Sequence, residues 1–272
     1  MKKKITAIVQ CRLTSSRFPN KIIEKIDNKT LINILIDRLK SSSLIDNIVL
    51  AIPNNKENEI LKKFVKKGVK IFKGKEDDVL DRYYKAAKKY KADIIIRICG
   101  DCPLIDPGVV DKITSYYLNN DFDYVSNTIK PTYPDGLDVE VFNFETLKKI
   151  WKEAKSKQDR EHVTRFMLKK SKFKKKNIFY KNDLSNLRLT IDEKIDLAQV
   201  KKIYNKLKKT KIFGINEIDA LYKKDPGIFD LNKNIKRNEG SVISTGQKLW
   251  KRAINIIPGG NMLLSKRPEM YC

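Results

Sequence analysis

Short apolar runs alternate with amphipathic stretches along the first 120 residues of the chain. The apolar runs are rich in β-branched residues, which is typical of buried strands, and they cover 5–10, 45–53, 69–74 and 92–101. Stretches with apolar residues at helical spacing follow them, at 30–42, 57–68, 76–90 and 107–120. This alternation predicts right-handed βαβ units around a parallel sheet.

The second half of the chain has a more mixed pattern. It predicts strands at 123–128, 136–143, 177–181 and 186–192, and helices at 144–154, 193–209 and 213–226. Periodicity fades in the polar stretch 231–246, and the new pattern that follows stops at Cys272 without completing a domain. We therefore predict an α/β fold with a mostly parallel central sheet flanked by helices, in a first domain at 1–232, then a linker at 233–245 and a truncated domain start at 246–272.

Composition agrees with a globular protein. Of the 272 residues, 41% are hydrophobic and 33% are charged, and no apolar run approaches the roughly 20 residues of a membrane span. The basic N-terminus lacks the cleavage site of a signal peptide, so we expect a cytoplasmic protein with no membrane partner. Cys99 and Cys102 have CxxC spacing, but His162 is the only histidine and no second ligand pair completes a zinc site, so free thiols are expected.

The formal net charge of +25 raises the question of a nucleic-acid partner. The lysines alternate with apolar residues in the predicted helices, as they do on solvated helix faces. We therefore expect no nucleic-acid partner, and the positive field is better suited to attract a phosphorylated substrate.

The stretch after the first predicted strand combines hydroxyls and cations. In sheets of this kind ligands bind beyond the carboxyl ends of the strands, where backbone amides can cradle phosphates and cations can neutralise them. The stretch has no GxxxxGK[ST] motif, so it predicts a different phosphate loop. We predict that this stretch binds a nucleotide together with one residue from the first predicted strand and two from other strands. The predicted nucleotide-binding residues are Gln10, Arg12, Ser15, Ser16, Arg17, Lys21, Gly74 and Arg97.

Two aspartates follow predicted strands. Asp101 comes after Gly100 at the end of the most apolar run, and Asp192 ends a later run just before a predicted helix. Mg²⁺ prefers one or two carboxylates together with substrate phosphates, so both are predicted metal ligands. A turn or helix-cap role remains the alternative for Asp101, and an N-cap role for Asp192.

Two further polar clusters are predicted to bind an acceptor substrate. The first surrounds Gly136 and contains Asp135, Asp138 and Glu140; its alternative is a hairpin turn with a polar strand face. The second contains Arg160 and His162, for which a dimer role or a purely structural role is the alternative.

Seven of these stretches together resemble one family, and they span about residues 4–232. They are "VQCRLTSSRFPNK", "GKEDDVLDRYYKAAKKY", "RICGDCPLIDP", "DYVSNT", "TYPDGLDVEVF", "DREHVT" and "LRLTIDEKIDL". The chain resembles the SpsF-like cytidylyltransferases of bacterial surface-polysaccharide synthesis, which are relatives of the CMP-KDO and CMP-sialate synthetases. Thr14 and Asn20 stand where this family commonly has glycines.

The resemblance implies a Rossmann-like nucleotidyltransferase A fold and a Mg²⁺-dependent enzyme. Such an enzyme transfers CMP from CTP to a sugar or sugar-like acceptor and releases pyrophosphate. The resemblance assigns the metal to Asp101 and Asp192 and catalytic roles to Arg12, Lys21 and Asp101. It also makes a homodimer an expectation, while the identity of the acceptor stays open.

The last 27 residues resemble the start of class III aminotransferases of the glutamate-1-semialdehyde aminomutase type. The parts of such an enzyme that bind pyridoxal phosphate would lie beyond residue 272, so no pyridoxal phosphate is expected in this chain. Two other functions stay open for the whole protein. One is a glycosyltransferase of the related A-type fold that consumes a nucleotide-sugar, and the other is a non-enzymatic basic binding protein.

Overall fold

A seven-stranded sheet forms the centre of the computed structural model, which describes residues 2–209, 212–235 and 237. The strands are β1 (Ile5–Gln10), β2 (Lys25–Ile26), β3 (Lys29–Thr30), β4 (Asn47–Pro53), β5 (Lys70–Gly74), β6 (Ile94–Cys99), β7 (Tyr124–Ser126), β8 (Glu140–Asn143) and β9 (Lys175–Asn177). Their order in the large sheet is β5-β4-β1-β6-β8-β7-β9, and β2 pairs only with β3. The predicted fold class is confirmed.

Helices connect these strands. They are α1 (Leu31–Leu39), α2 (Lys56–Glu59), α3 (Leu61–Phe64), α4 (Val79–Lys89), α5 (Pro107–Leu118), α6 (Phe144–Glu153), α7 (Lys157–Glu161), α8 (Arg165–Lys169), α9 (Lys194–Leu207) and α10 (Ile215–Lys224). Short 3₁₀ turns cover Lys21–Ile23 and Pro226–Phe229.

All strands of the large sheet except β8 point in one direction. β1 pairs in parallel with β4 and β6, whereas β8 lies antiparallel between β6 and β7. The carboxyl ends of β1, β4, β5, β6 and β7 therefore meet at one edge of the sheet, together with the first residue of β8. The side chains that follow these strands are brought to the same edge.

An apolar layer covers each face of the sheet, and β1 is therefore buried on both sides. Ala7 and Val9 pack into one layer, which also holds the apolar faces of α1, α5, α9 and α10. Ile8 points the other way, into a layer that contains Leu80 of α4 and Leu147 of α6. Strands covered on both faces are typical of parallel sheets, and this explains the nearly continuous apolar runs of the sequence.

The segment predicted as a strand at 186–192 differs from the prediction. It forms an isolated parallel bridge between Asp135 and Arg188 instead of a strand. The carbonyl of Asp135 accepts from the backbone N–H of both Leu189 (2.6 Å) and Thr190 (3.1 Å), which interrupts a regular ladder. Gly136 makes this approach feasible, because its φ is 105° and a Cβ there would lie 2.5 Å from the backbone N of Thr190.

Other boundaries also shift. The single helix predicted at 57–68 is divided into α2 and α3, and the strand predicted at 136–143 begins only at Glu140. The strand predicted at 177–181 lies earlier, at β9. In each of these places the period of the pattern was recognisable, but its ends depend on tertiary contacts.

The described residues belong almost entirely to one compact unit, Met1–Lys233. Most of the predicted linker and all of the predicted aminotransferase-like tail lie outside the described residues, so the domain division stays a prediction. Within the described part, none of the helices has the length and apolar character to cross a bilayer. Its three cysteines, Cys11, Cys99 and Cys102, are free thiols.

Candidate active site

The loop after β1 is closed by hydrogen bonds at both of its ends. The backbone N–H of Asn20 donates to the carbonyl of Leu13 (2.9 Å), and the backbone N–H of Leu13 donates to Asn58 Oδ1 (2.7 Å). Asn20 has a left-handed backbone, with φ 62°, which asparagine tolerates better than most residues. The Thr14 hydroxyl donates to Glu76 Oε1, so the side chain that replaces a glycine anchors the loop.

Lys21 follows this loop and lies between two carboxylates. Its ammonium is 3.0 Å from Asp101 Oδ2 and 2.8 Å from Asp192 Oδ1, and only 8% of its side chain is exposed. Burial alone would lower the pKa of Lys21, but the two carboxylates outweigh it and raise that pKa above the usual value. The fold thus brings three predicted site residues from distant parts of the sequence into one cluster.

Gly100 allows Asp101 to reach this cluster. Its backbone N–H donates to the carbonyl of Gln10 (2.8 Å), and a Cβ at this position would lie only 2.6 Å from Cys11 Cβ. The carbonyl of Asp101 accepts from the backbone N–H of Ile191 (2.9 Å). The ends of β1 and β6 and the segment before α9 are therefore joined directly at Asp101.

Asp192 is surrounded by cations and does not cap the helix that follows it. Glu193 is the N-cap of α9 and forms a capping box with Asp196. Asp192 instead accepts from Arg17 Nη2 (2.9 Å) and Arg188 Nη2 (2.8 Å) as well as from Lys21. Burial raises the pKa of Asp192, but the lysine and arginine charges prevail and lower it to about 2.

The two aspartates fit the requirements of Mg²⁺. Both have an oxygen within 3.0 Å of one cationic group, and 28% and 21% of their side chains remain exposed. Among the residues that the structure describes, no group of three or more histidine, cysteine, aspartate or glutamate side chains could hold a metal ion. A metal at Asp101 and Asp192 would therefore take its other ligands from water or substrate phosphates, as Mg²⁺ commonly does.

The other predicted phosphate-binding residues lie around the same edge. Arg12 is exposed and lies 3.9 Å from Glu76 Oε1, Ser15 is half-buried and Ser16 is exposed. Gly74 ends β5, and its carbonyl accepts from the backbone N–H of Asn54 (2.8 Å). An open cleft of about 330 Å³ is lined by Gly74, Glu76 and neighbouring lysines and asparagines.

Arg97 and Glu140, predicted to bind nucleotide and acceptor respectively, contact each other inside the sheet. They are directly opposite in the β6–β8 register, and Arg97 Nη1 forms an ion pair with Glu140 Oε1. Arg97 Nη2 also donates to Gln10 Oε1 (3.1 Å), and the Tyr124 hydroxyl donates to Glu140 Oε2 (2.9 Å). Their charged groups are thus engaged in a buried network beneath the edge.

The remaining predicted acceptor residues lie in different places. Asp135 Oδ2 is 2.9 Å from Arg188 Nη1, which links it to Asp192, and Asp138 is half-buried in the connection before β8. Arg160 instead donates to the carboxylate of Asp78, the N-cap of α4, through Nε (2.9 Å) and Nη2 (2.6 Å). His162 is exposed and follows α7.

Sequence reasoning did not identify Arg188 and Asp196. Together with Asp192 they are spaced four residues apart, in "RLTIDEKID". This spacing indicates helical neighbours only when the whole segment is a helix, whereas α9 starts at Lys194. Sequence reasoning likewise missed Glu76, which contacts Thr14 and Arg12 of the loop: it is the first of three acidic residues, 76–78, that were predicted to start a helix.

Comparisons with known proteins identify the family and the fold of this chain. The sequence model of the family described as "Cytidylyltransferase" matches residues 6–239. An uncharacterised protein of Methanocaldococcus jannaschii, MJ1063, is 39% identical over 247 residues, which are 86% of this chain and 96% of that protein. The spore coat polysaccharide biosynthesis protein SpsF of Bacillus subtilis is 29% identical over 233 residues, 82% of this chain and 95% of SpsF.

Among solved structures, a cytidylyltransferase from Leptospira borgpetersenii has a similar fold. Its TM-score is 0.80 at 31% sequence identity, and the match covers 84% of this chain and 97% of that one.

Proposed function

This chain belongs to the cytidylyltransferase family, and we propose that it transfers the CMP group of CTP to a sugar or sugar-like acceptor with release of pyrophosphate. The cluster of Lys21, Asp101 and Asp192 carries this proposal. A buried ammonium lies between two carboxylates there, next to the loop after β1 and at the sheet edge where ligands bind in such folds, which supports the proposal.

The proposed reaction needs positioning and charge stabilisation. An oxygen of the acceptor forms a bond to the α-phosphorus of CTP, the bond from that phosphorus to the bridging oxygen breaks, and pyrophosphate leaves with the electron pair. Lys21, Arg17 and Arg12 neutralise the charge that develops on the leaving phosphates, which is the main task in phosphoryl-type transfer.

We propose that Asp101 and Asp192 hold Mg²⁺ in this reaction. The ion would polarise the phosphates and stabilise the developing charge. When CTP binds, the ammonium of Lys21 gains phosphate oxygens as alternative partners, and Asp101 and Asp192 would then be available to hold the ion. The backbone amides around Ser15 and Ser16 are suited to contact the same phosphates.

The acceptor side of the site is also a proposal. We assign the acceptor to Asp135 and Asp138, in the connection before β8, and to Arg160 and His162, at the end of α7. Glu140, predicted together with them, is instead paired with Arg97 inside the sheet. SpsF is described as a spore coat polysaccharide biosynthesis protein. From this relative we propose that the product is an activated precursor for a surface polysaccharide.

A pyrophosphate-release screen tests the proposal. Four nucleoside triphosphates are combined with a panel of sugar acids, sugar phosphates and other phosphorylated small molecules, with Mg²⁺ present. We expect release that depends on CTP and on one class of acceptor, and that is lost in Asp101→Asn. Release without preference for CTP, or activity only with a nucleotide-sugar as donor, would contradict the proposal and favour the glycosyltransferase alternative.

A further inference from the structure

The side chain of Arg188 lies next to the proposed metal site and donates hydrogen bonds to three carboxylates. Its Nη2 donates to Asp192 Oδ2 (2.8 Å), its Nη1 to Asp135 Oδ2 (2.9 Å) and its Nε to Asp196 Oδ1 (2.9 Å). Only 5% of the Arg188 side chain is exposed. Every nitrogen of its guanidinium therefore has a carboxylate partner, in the fork geometry that arginine offers and lysine lacks.

Asp196 keeps Arg188 in this position. Asp196 is fully buried, and its Oδ2 also accepts from the backbone N–H of Asp192 (2.9 Å) and of Glu193 (3.0 Å). Asn232 donates to Asp196 Oδ1 (2.8 Å) and to the carbonyl of Arg188 (3.2 Å). One buried carboxylate thus fixes both the guanidinium and the backbone of the residue that the guanidinium contacts.

The three cations on Asp192 differ in their freedom to move. Lys21 and Arg17 belong to the phosphate loop, and both have triphosphate oxygens as new partners when a nucleotide binds. Arg188 has no such exchange available, because it is buried and bound to Asp135 and Asp196. It is the cation that remains on Asp192 throughout a reaction cycle.

We propose that Arg188 is a positioning residue for the reaction: it holds Asp192 Oδ2 so that Oδ1 faces Lys21 in the free protein and a divalent metal ion in the loaded protein. This inference rests on the proposed function. Arg188 itself touches neither nucleotide nor metal, and it acts by removing the rotational freedom of the carboxylate that does.

Binding of Mn²⁺, followed by electron paramagnetic resonance, tests this inference without turnover. Mn²⁺ is titrated with a CTP analogue that carries a methylene group between its α and β phosphorus atoms. Arg188→Lys keeps the charge but cannot contact three carboxylates at once. We expect its Mn²⁺ affinity to fall roughly 10- to 100-fold, the range found when residues that orient metal ligands are replaced.

Arg38→Lys is the matched control. Arg38 is as buried as Arg188, but its guanidinium donates to the backbone carbonyls of Ile105 and Phe213 instead of to carboxylates, so the Mn²⁺ affinity of this variant should stay close to that of the wild type. Thermal melting of both variants measures their loss of stability. If both variants weaken Mn²⁺ binding equally, or if Arg188→Lys binds Mn²⁺ as the wild type does, Arg188 is purely structural and the inference is overturned.

A second variant keeps the test decisive if Arg188→Lys does not fold. Asp196→Asn preserves the size of the side chain while loosening Arg188, and it should weaken Mn²⁺ binding measurably; wild-type affinity in this variant would also overturn the inference. The same titrations with Mn²⁺ alone require no nucleotide. If the wild type does not use CTP, the proposed function is contradicted. The Mn²⁺ affinities of the variants can still be compared with that of the wild type, so the inference about Arg188 is tested separately.

Discussion

Two clusters of paired charges lie near the same edge of the sheet, and they differ in what their surroundings permit. Arg97 and Glu140 are opposite each other on neighbouring strands, with 14% and 8% of their side chains exposed. Lys21 is as buried as they are, but its partners Asp101 and Asp192 face solvent on one side. The carboxylate of the first cluster, Glu140, is almost covered by protein, whereas the two carboxylates of the second cluster keep 28% and 21% of their side chains exposed.

This difference indicates that burial of a charge alone does not mark a functional site. Arg97 and Glu140 form an ion pair, and Gln10 and Tyr124 add one hydrogen bond each, although the buried Arg97 Nε has no hydrogen-bond partner among the described residues. Lys21, Asp101 and Asp192 come from three separate segments of the chain. Replacements in the two clusters should therefore separate loss of stability from loss of activity.

The largest effect is expected for Asp101→Asn. The loss of a metal ligand should remove about 3 kcal/mol or more of transition-state stabilisation, which is roughly a hundred-fold or more in kcat/KM. Asp46→Asn is the control, because Asp46 accepts a hydrogen bond from the backbone of Ile5 at the opposite edge of the sheet. Steady-state kinetics at saturating Mg²⁺ measure the effect, and a kcat/KM of Asp101→Asn close to that of the wild type would contradict the metal assignment.

Glu140→Gln should act on stability instead. It leaves the buried Arg97 without a counter-charge, and breaking such a pair costs about 3–5 kcal/mol of the free energy of unfolding. Urea denaturation measures this loss. The control is Glu145→Gln, which removes the exposed pair with Lys148 and should change the free energy by less than about 0.5 kcal/mol. Equal stabilities of the two variants would show that the sheet pair is not a structural element.

Lys21→Met should have opposite effects on nucleotide and metal. Loss of a charge-assisted contact to phosphate is worth about 1.5–3 kcal/mol, so kcat/KM for CTP should fall roughly ten- to hundred-fold. Affinity for Mn²⁺ alone should rise, because the ammonium no longer competes for Asp101 and Asp192. Lys29→Met, at an exposed pair with Asp37, is the control. Weaker Mn²⁺ binding by Lys21→Met would contradict the exchange.

A smaller effect is expected of pH on the free energy of unfolding. The pKa of Asp192 is lowered from 3.8 to about 2 in the folded protein, so the ionised carboxylate stabilises the fold above pH 4. This contribution, about 2 kcal/mol, should be lost as the pH falls from 4 through 2. Urea denaturation of the wild type and of Asp192→Asn measures it: the difference between their free energies of unfolding should shrink over that range. A constant difference would contradict the pKa shift.

The fold could be predicted from the sequence because its strands are buried on both faces. Runs such as 92–101 have to be central in a sheet, and the glycines and polar residues that end them have to lie at its carboxyl edge. That rule places Lys21, which follows the loop after β1, and Asp101, which follows β6, at this edge, whereas Asp192 was assigned to it through a strand at 186–192 that the structure does not form. Segments held by single contacts, such as 186–192, could not be assigned, because the isolated bridge to Asp135 leaves no periodic signal.

Local patterns in the sequence thus determined the α/β fold and the position of Asp101 at the carboxyl edge of the sheet, since both depend on residue types within and just after a strand. Tertiary structure decided which charges face a ligand and which face each other. Arg97 and Arg188 are both single arginines in apolar surroundings, yet one lies opposite Glu140 in the sheet and the other holds Asp192. The partner of a buried charge depends on strand register and chain crossing, and both arise only when distant segments pack together.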